Sequence, residues 1–320
     1  MATRTPPAKH RPYHLAMQRN LLINIVIFGG VLYLFGWQLR GVSESLTALR
    51  QADVVQTLCA LAAIIVSYVA AALSYQALAI RRLQFRATLA VQVASGFTNR
   101  LLPAGLGGLG LFAAYYKKQG HTLPVSSALV ATNNLVGFIG NSILLIAVVL
   151  LHPSYIRQFN GLNASGAVLI IAAGIVAGLC LFLFIRQDLL RRLMAFVRAT
   201  WHALRVYLRP NSRTVKALLC NMIATSCNVL ALSLAVSAAH GSLDWPAALL
   251  VLSLGTAIGA AVPTPGGIGG VEAGLLAGMV AFNVSPASGL AAVFLYRGLS
   301  YWLPIIPGIV AFRLIEKRLL

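Results

Sequence analysis

Val262-Pro263-Thr264-Pro265-Gly266-Gly267-Ile268-Gly269-Gly270-Val271-Glu272 interrupts an otherwise apolar stretch with two prolines and four glycines in eight residues. Proline removes a backbone donor and clashes with the preceding turn, and glycine adds backbone freedom, so no helix runs through this segment. The break ends on Glu272, an acid deep in apolar sequence. Broken backbone beside a carboxylate is costly at membrane depth unless it lines a cavity.

Membrane depth is the right frame. The 320 residues are 59% hydrophobic and only 10% charged, with a mean hydropathy of +0.82. Soluble domains carry about 25% charged residues. The 25 Lys and Arg against 6 Asp and Glu flank apolar runs. That placement argues for loops on anionic lipid and against nucleic acid. The cysteines (Cys59, Cys180, Cys220, Cys227) fall inside apolar spans with no metal or redox spacing. The histidines fall in loops or at span ends. We expect no metal, no cofactor and no enzyme chemistry.

The apolar runs predict an all-α polytopic membrane protein. Full spans are expected at 20–39, 54–79, 124–151, 166–185, 214–239 and 287–312, with interrupted segments at 88–116 and 246–282. Residues 1–19 read as a disordered basic tail, 20–160 as a first transmembrane half and 161–320 as a second. Residues 186–213 interleave seven arginines with apolar residues, the pattern of a basic amphipathic helix on the membrane face.

Charge decides the threading. If each interrupted segment is a re-entrant hairpin, 20 of the 25 Lys and Arg fall in cytoplasmic segments and only Arg40, Arg50 and Arg157 fall outside. If each crosses once, Lys117, Lys118 and the Arg-rich 186–216 connection face outward. We therefore expect six spans and two hairpins, with both termini cytoplasmic.

The order span, interrupted hairpin, proline-initiated span occurs twice. The first break, Pro103-Ala104-Gly105-Leu106-Gly107-Gly108-Leu109-Gly110, places Pro103, Gly107 and Gly110 each 160 residues before Pro263, Gly267 and Gly270. The threading runs the halves in opposite directions. Inverted repeats with discontinuous helices are a transporter architecture.

Few residues could carry chemistry. Glu272 is a proton carrier or a ligand for a cationic group, or else a helix-start carboxylate satisfied by free N–H groups. Arg297 either pairs with Glu272 as a lock or binds a lipid phosphate. Arg100 is a second phosphate ligand, or snorkels to the cytoplasmic face. Asn99, Asn133 and Asn134 line the cavity or join helices by hydrogen bonds. Tyr301 is a ligand or an interfacial aromatic.

The two glycine breaks, Asn99 to Gly108 and Pro263 to Glu272, together with Leu295-Tyr296-Arg297-Gly298-Leu299-Ser300-Tyr301-Trp302-Leu303-Pro304, resemble the lysylphosphatidylglycerol synthase transmembrane-region family. That family includes the flippase domain of the bacterial multiple-peptide-resistance protein. The resemblance covers most of 20–315. It implies a bacterial inner-membrane protein that moves a lipid between leaflets. The chain ends at Leu320, without the soluble aminoacyl-transferase domain of two-domain members, so synthase activity is not expected. The expected partners are lipids with anionic or zwitterionic headgroups. A second copy of the chain and a lipid-modifying enzyme are further candidates. The alternative function is a non-transporting membrane partner or regulator of such an enzyme.

Overall fold

A computed structural model of the chain describes residues 50–79, 82–101, 106–155, 211–262 and 264–319. The tail, the expected spans 20–39 and 166–185, the basic stretch up to residue 210, Pro103, Gly105 and Pro263 lie outside the described residues.

Those residues form nine α-helices: α1 (Val54–Leu78), α2 (Phe85–Leu101), α3 (Leu106–Lys118), α4 (Leu123–Leu151), α5 (Ser212–Ala238), α6 (Trp245–Ala261), α7 (Gly270–Ala281), α8 (Pro286–Arg297) and α9 (Ile305–Leu319). No strand occurs among them. Four apolar stretches are long enough to cross a membrane: α1, α4, α5 and the composite Pro286–Ile315. The composite contains a π-helical turn at Gly298–Trp302, closed by Leu303 N–H donating to Gly298 O at 2.8 Å. The sequence read that span as continuous. The π-turn inserts one residue into the helical ladder and turns the side chains beyond it.

The interrupted segments become two pairs of short helices, and the members of each pair pack together. Their lengths are 17 and 13 residues for α2 and α3, and 17 and 12 for α6 and α7. All fall short of the roughly 20 residues a span requires.

Helix starts follow local chemistry. Asp53, Asn211 and Asp244 accept backbone N–H groups at the starts of α1, α5 and α6. Pro124, Pro246 and Pro286 sit in first turns, where a missing N–H costs nothing.

Helices α1 and α5 pack along one another and run antiparallel: Asp53 N–H, before α1, donates to Ala238 O, at the end of α5. His240 Nε2 lies 3.0 Å from Gln51 O at the same end. Tyr155, after α4, donates its hydroxyl to Asp244 before α6 and meets the Phe282 ring after α7 edge-on at 5.4 Å. The second short pair therefore begins and ends at one end of the bundle. The hydrogen bond to Asp244, with burial and that carboxylate's charge adding to it, raises the Tyr155 phenol above its ordinary range.

The first short pair closes at the opposite end. There Tyr75, Leu78, Leu83, Val91, Phe112, Tyr115 and Tyr116 form the apolar core with Ala217 of α5 and Ile315 of α9. Tyr75 and Phe112 stack at 3.6 Å, and the Tyr116 hydroxyl donates to Tyr75 O at 2.6 Å.

Candidate functional site

The second break folds as a 3-10 turn at Pro265–Gly267, and α7 starts at Gly270. Gly266 has φ +64°, and a Cβ there would lie 2.5 Å from the Tyr301 ring. Gly269 has φ +87°. These positive φ values are rarely open to other residues, and at Gly266 the ring fills the space a side chain would take. Thr264 Oγ1 donates to Ile268 O at 2.9 Å and braces the turn.

Glu272 sits three residues into α7. Its Oε2 accepts Gly269 N–H at 2.7 Å, and its Oε1 accepts Arg297 Nε at 2.6 Å. It caps the half-helix, as a helix-start carboxylate does, and it also pairs with Arg297. The two side chains are only 12% and 10% exposed. Counting along α7 from Ala281 and along α8 from Pro286 places the pair roughly 14–17 Å from the 282–285 loop, at 1.5 Å per residue. That is about half of a 30 Å hydrocarbon core.

Arg297 also lies over the Tyr301 ring, with its guanidinium carbon 4.2 Å from the ring centroid. The Arg100 guanidinium approaches the same ring at 4.8 Å. Arg100, in the last turn of α2, donates through Nη2 to Ser300 O at 2.9 Å and through Nη1 to Gly96 O. The bond to Ser300 O ties it to the π-turn. The end of α2 also packs against the Pro265–Gly267 turn. One arginine before the first break and an ion pair after the second thus meet on one aromatic face. Each cation gains from the ring quadrupole, which a desolvated site strengthens.

Two buried donors in this cluster have no partner among the described residues: Arg100 Nε and Arg297 Nη2. A buried unpaired guanidinium N–H is costly, and an anion placed here would satisfy it.

The amide residues go elsewhere. Asn99 Oδ1 accepts Gly108 N–H at 2.5 Å and ties the end of α2 to the start of α3 across the first break. Gly107 packs against the Thr98 backbone and Gly108 against the Asn99 side chain, too closely for a Cβ. Asn133 is buried and accepts from Asn221 Nδ2 of α5 at 3.3 Å. Asn134 donates to Val130 O in its own helix and is exposed. Neither asparagine contacts the arginines or Tyr301 by hydrogen bond.

Sequence reasoning passed over Tyr68, Gly96, Asn221, Gly255 and Gly259. The last two were legible as glycines spaced i, i+4 on one helix, opposite Gly270 and Gly274 at the same spacing.

Four crossing-length apolar stretches, two short helix pairs and a buried ion pair at their meeting point define a multi-pass α-helical membrane protein. The chain belongs to the family described as lysylphosphatidylglycerol synthase TM region, whose family model matches residues 21–308. No curated protein matches it.

Proposed function

We propose that this protein is a lipid flippase of the bacterial inner membrane, moving a phospholipid or related lipid between leaflets without chemically changing it. The observation that carries the reading is the pair of arginines on the Tyr301 ring, with two buried N–H donors left open. A headgroup phosphate is a natural acceptor for such donors. The family supports a membrane domain connected with lipids.

The architecture we propose has six full spans, the four described here together with 20–39 and 166–185, and two re-entrant hairpins formed by α2–α3 and α6–α7. The antiparallel run of α1 and α5 supports an inverted repeat. So does the closing of the two short pairs at opposite ends. The end that holds the starts of α2 and α5 and the ends of α3 and α9 carries Arg82, Arg86, Lys117, Lys118, Arg213, Lys216 and Arg313. On the positive-inside rule it is cytoplasmic, and both termini lie inside. Alternating access then means rocking one half against the other around the cluster.

The test is scrambling of a fluorescent phospholipid in liposomes, read as the fraction of label that external dithionite bleaches. The purified protein should accelerate scrambling. Arg100→Gln with Arg297→Gln and Glu272→Gln, a set that removes every charge of the cluster together, should abolish the acceleration in protein that still melts cooperatively. Equal scrambling by this variant and the native chain would sink the assignment.

A further inference from the structure

The polar cluster has an apolar neighbour. A cavity of about 370 Å³ lies between α1, α2, the π-turn and the start of α9, lined by Leu61, Ile64, Ile65, Val93, Leu299 and Pro307, with Tyr68 the one lining residue that has a polar side-chain atom. Its volume falls within the roughly 300–1,000 Å³ of small-molecule sites. Ile65 and Leu303 at its wall are half exposed, so the cavity opens on an apolar face of the bundle.

Three consecutive residues of the π-turn join the cavity to the cluster. Leu299 lines the cavity, Ser300 O accepts from Arg100, and the Tyr301 ring lies beneath both guanidinium groups. Tyr68 makes the same link on the other wall. A Cβ at Gly96 would meet Tyr68 Oη at 2.8 Å and Arg100 Nη1 at 3.2 Å, so that hydroxyl and that guanidinium share one backbone position.

Charge narrows the ligand. Arg100 and Arg297 carry two positive charges and Glu272 one negative charge, leaving one positive charge on the cluster. A phosphodiester carries a single negative charge and neutralises it. The second charge of a phosphomonoester would be left without a partner in a desolvated site, which is costly.

Resting on the lipid-transport reading of this cluster, we infer that the cavity seats one acyl chain of a lipid whose phosphodiester docks on Arg100 Nε and Arg297 Nη2. The bound lipid is therefore a monoanionic phosphodiester with at least one chain, held at both head and tail. The tail seat is shared by α1, α2, the π-turn and the start of α9, so a shift of the π-turn itself moves head and tail contacts together.

The test uses the full chain purified in a neutral maltoside detergent, with affinities measured by native mass spectrometry. The probes are lysophosphatidylglycerol, which has one chain and one phosphodiester, its chain-free headgroup glycerophosphoglycerol, and inorganic phosphate. The native chain should bind the lysolipid at least about tenfold more tightly than the chain-free headgroup, because only the former buries apolar surface. Val93→Trp, which fills the cavity, should remove that advantage and leave headgroup binding unchanged. Arg297→Gln with Glu272→Gln should weaken both. Equal affinity for lysolipid and headgroup in the native chain would overturn the tail seat, and so would undiminished lysolipid binding in Val93→Trp. The arginine reading would survive either result. Undiminished binding in the Arg297 and Glu272 variant would overturn the cluster itself. Preference for inorganic phosphate over both organic probes would make the site a free-phosphate site.

A second measurement guards against misfolding of the tryptophan variant. Val93→Cys, with the four native cysteines replaced by serine, should react with a membrane-permeant maleimide and be protected by lysophosphatidylglycerol. Equal reaction with and without lysophosphatidylglycerol would overturn the tail seat.

Discussion

Glu272 is asked to do two jobs with two oxygens, and its energetics follow from that. One oxygen closes the Gly269 N–H at the start of α7 and the other holds Arg297. With both side chains almost wholly withdrawn from surroundings, removing one partner strands a buried charge, a loss of about 3–5 kcal/mol. Glu272→Ala alone should therefore lower the detergent-solubilised melting temperature far more than Glu272→Ala combined with Arg297→Met, in which no charge remains to be stranded. Additive losses in that double-mutant cycle would show that the two side chains do not interact. The pairing was legible in the sequence, since two lone charges in neighbouring apolar segments have few other partners. The role of Tyr301 was not. An aromatic residue twelve positions before the basic chain end that opens at Arg313 looks the same whether it anchors an interface or floors a cation site, and only the π-turn register turns it beneath Arg100 and Arg297.

At the scale of elements, the second helix pair is held by backbone-to-backbone approach. A Cβ on Gly274 would lie 2.8 Å from Gly255 Cα, and one on Gly270 would lie 3.1 Å from Gly259 Cα. Between apolar helices in lipid, where burial gives little drive to associate, close packing of small residues supplies the attraction. Gly274→Leu should push α6 and α7 apart and cost about 1–3 kcal/mol as overpacking. It should also shift the Pro265–Gly267 turn under Tyr301, so scrambling should fall with stability. A native melting temperature in Gly274→Leu would contradict this packing. The breaks that make these helices short were written in proline and glycine, and their positions 160 residues apart are visible in the chain. The π-turn was not visible, because its local sequence differs from a plain helix only by Gly298 and the following Pro304. Asn133 shows the reverse limit. Its polar character was evident, but its partner Asn221 sits 88 residues away on α5, and only the folded packing joins them.

For the whole molecule, the decisive question is whether each short pair returns to the side it entered. Charge counting reached the hairpin threading from the sequence, because Lys117, Lys118 and the Arg-rich connection are hard to place outside. The structure adds contacts that charge counting could not reach. Tyr155 touches residues on both sides of the second pair, while Tyr115 and Tyr116 join the Leu83 core beside the start of the first. These contacts make a discriminating experiment from four exposed positions: Ser242 and Asn283 flank the second pair, and Gln84 and Lys118 flank the first. Single cysteines at these four sites, in the background with the native cysteines replaced by serine, can be probed in intact cells whose outer membrane has been made permeable. An impermeant maleimide should label Ser242→Cys and Asn283→Cys directly. Gln84→Cys and Lys118→Cys should stay unlabelled until the inner membrane is broken. A helix pair that crossed the bilayer once would split its own two sites, one labelled and one protected. Such a split in either pair would overturn the proposed re-entrant hairpins, and with them the proposal that Arg100 reaches Glu272 and Arg297 from the opposite face. If both pairs label as units and on opposite sides, the halves are inverted in the membrane as well as antiparallel in the fold, and a rocking motion about the Tyr301 cluster has the symmetry it needs.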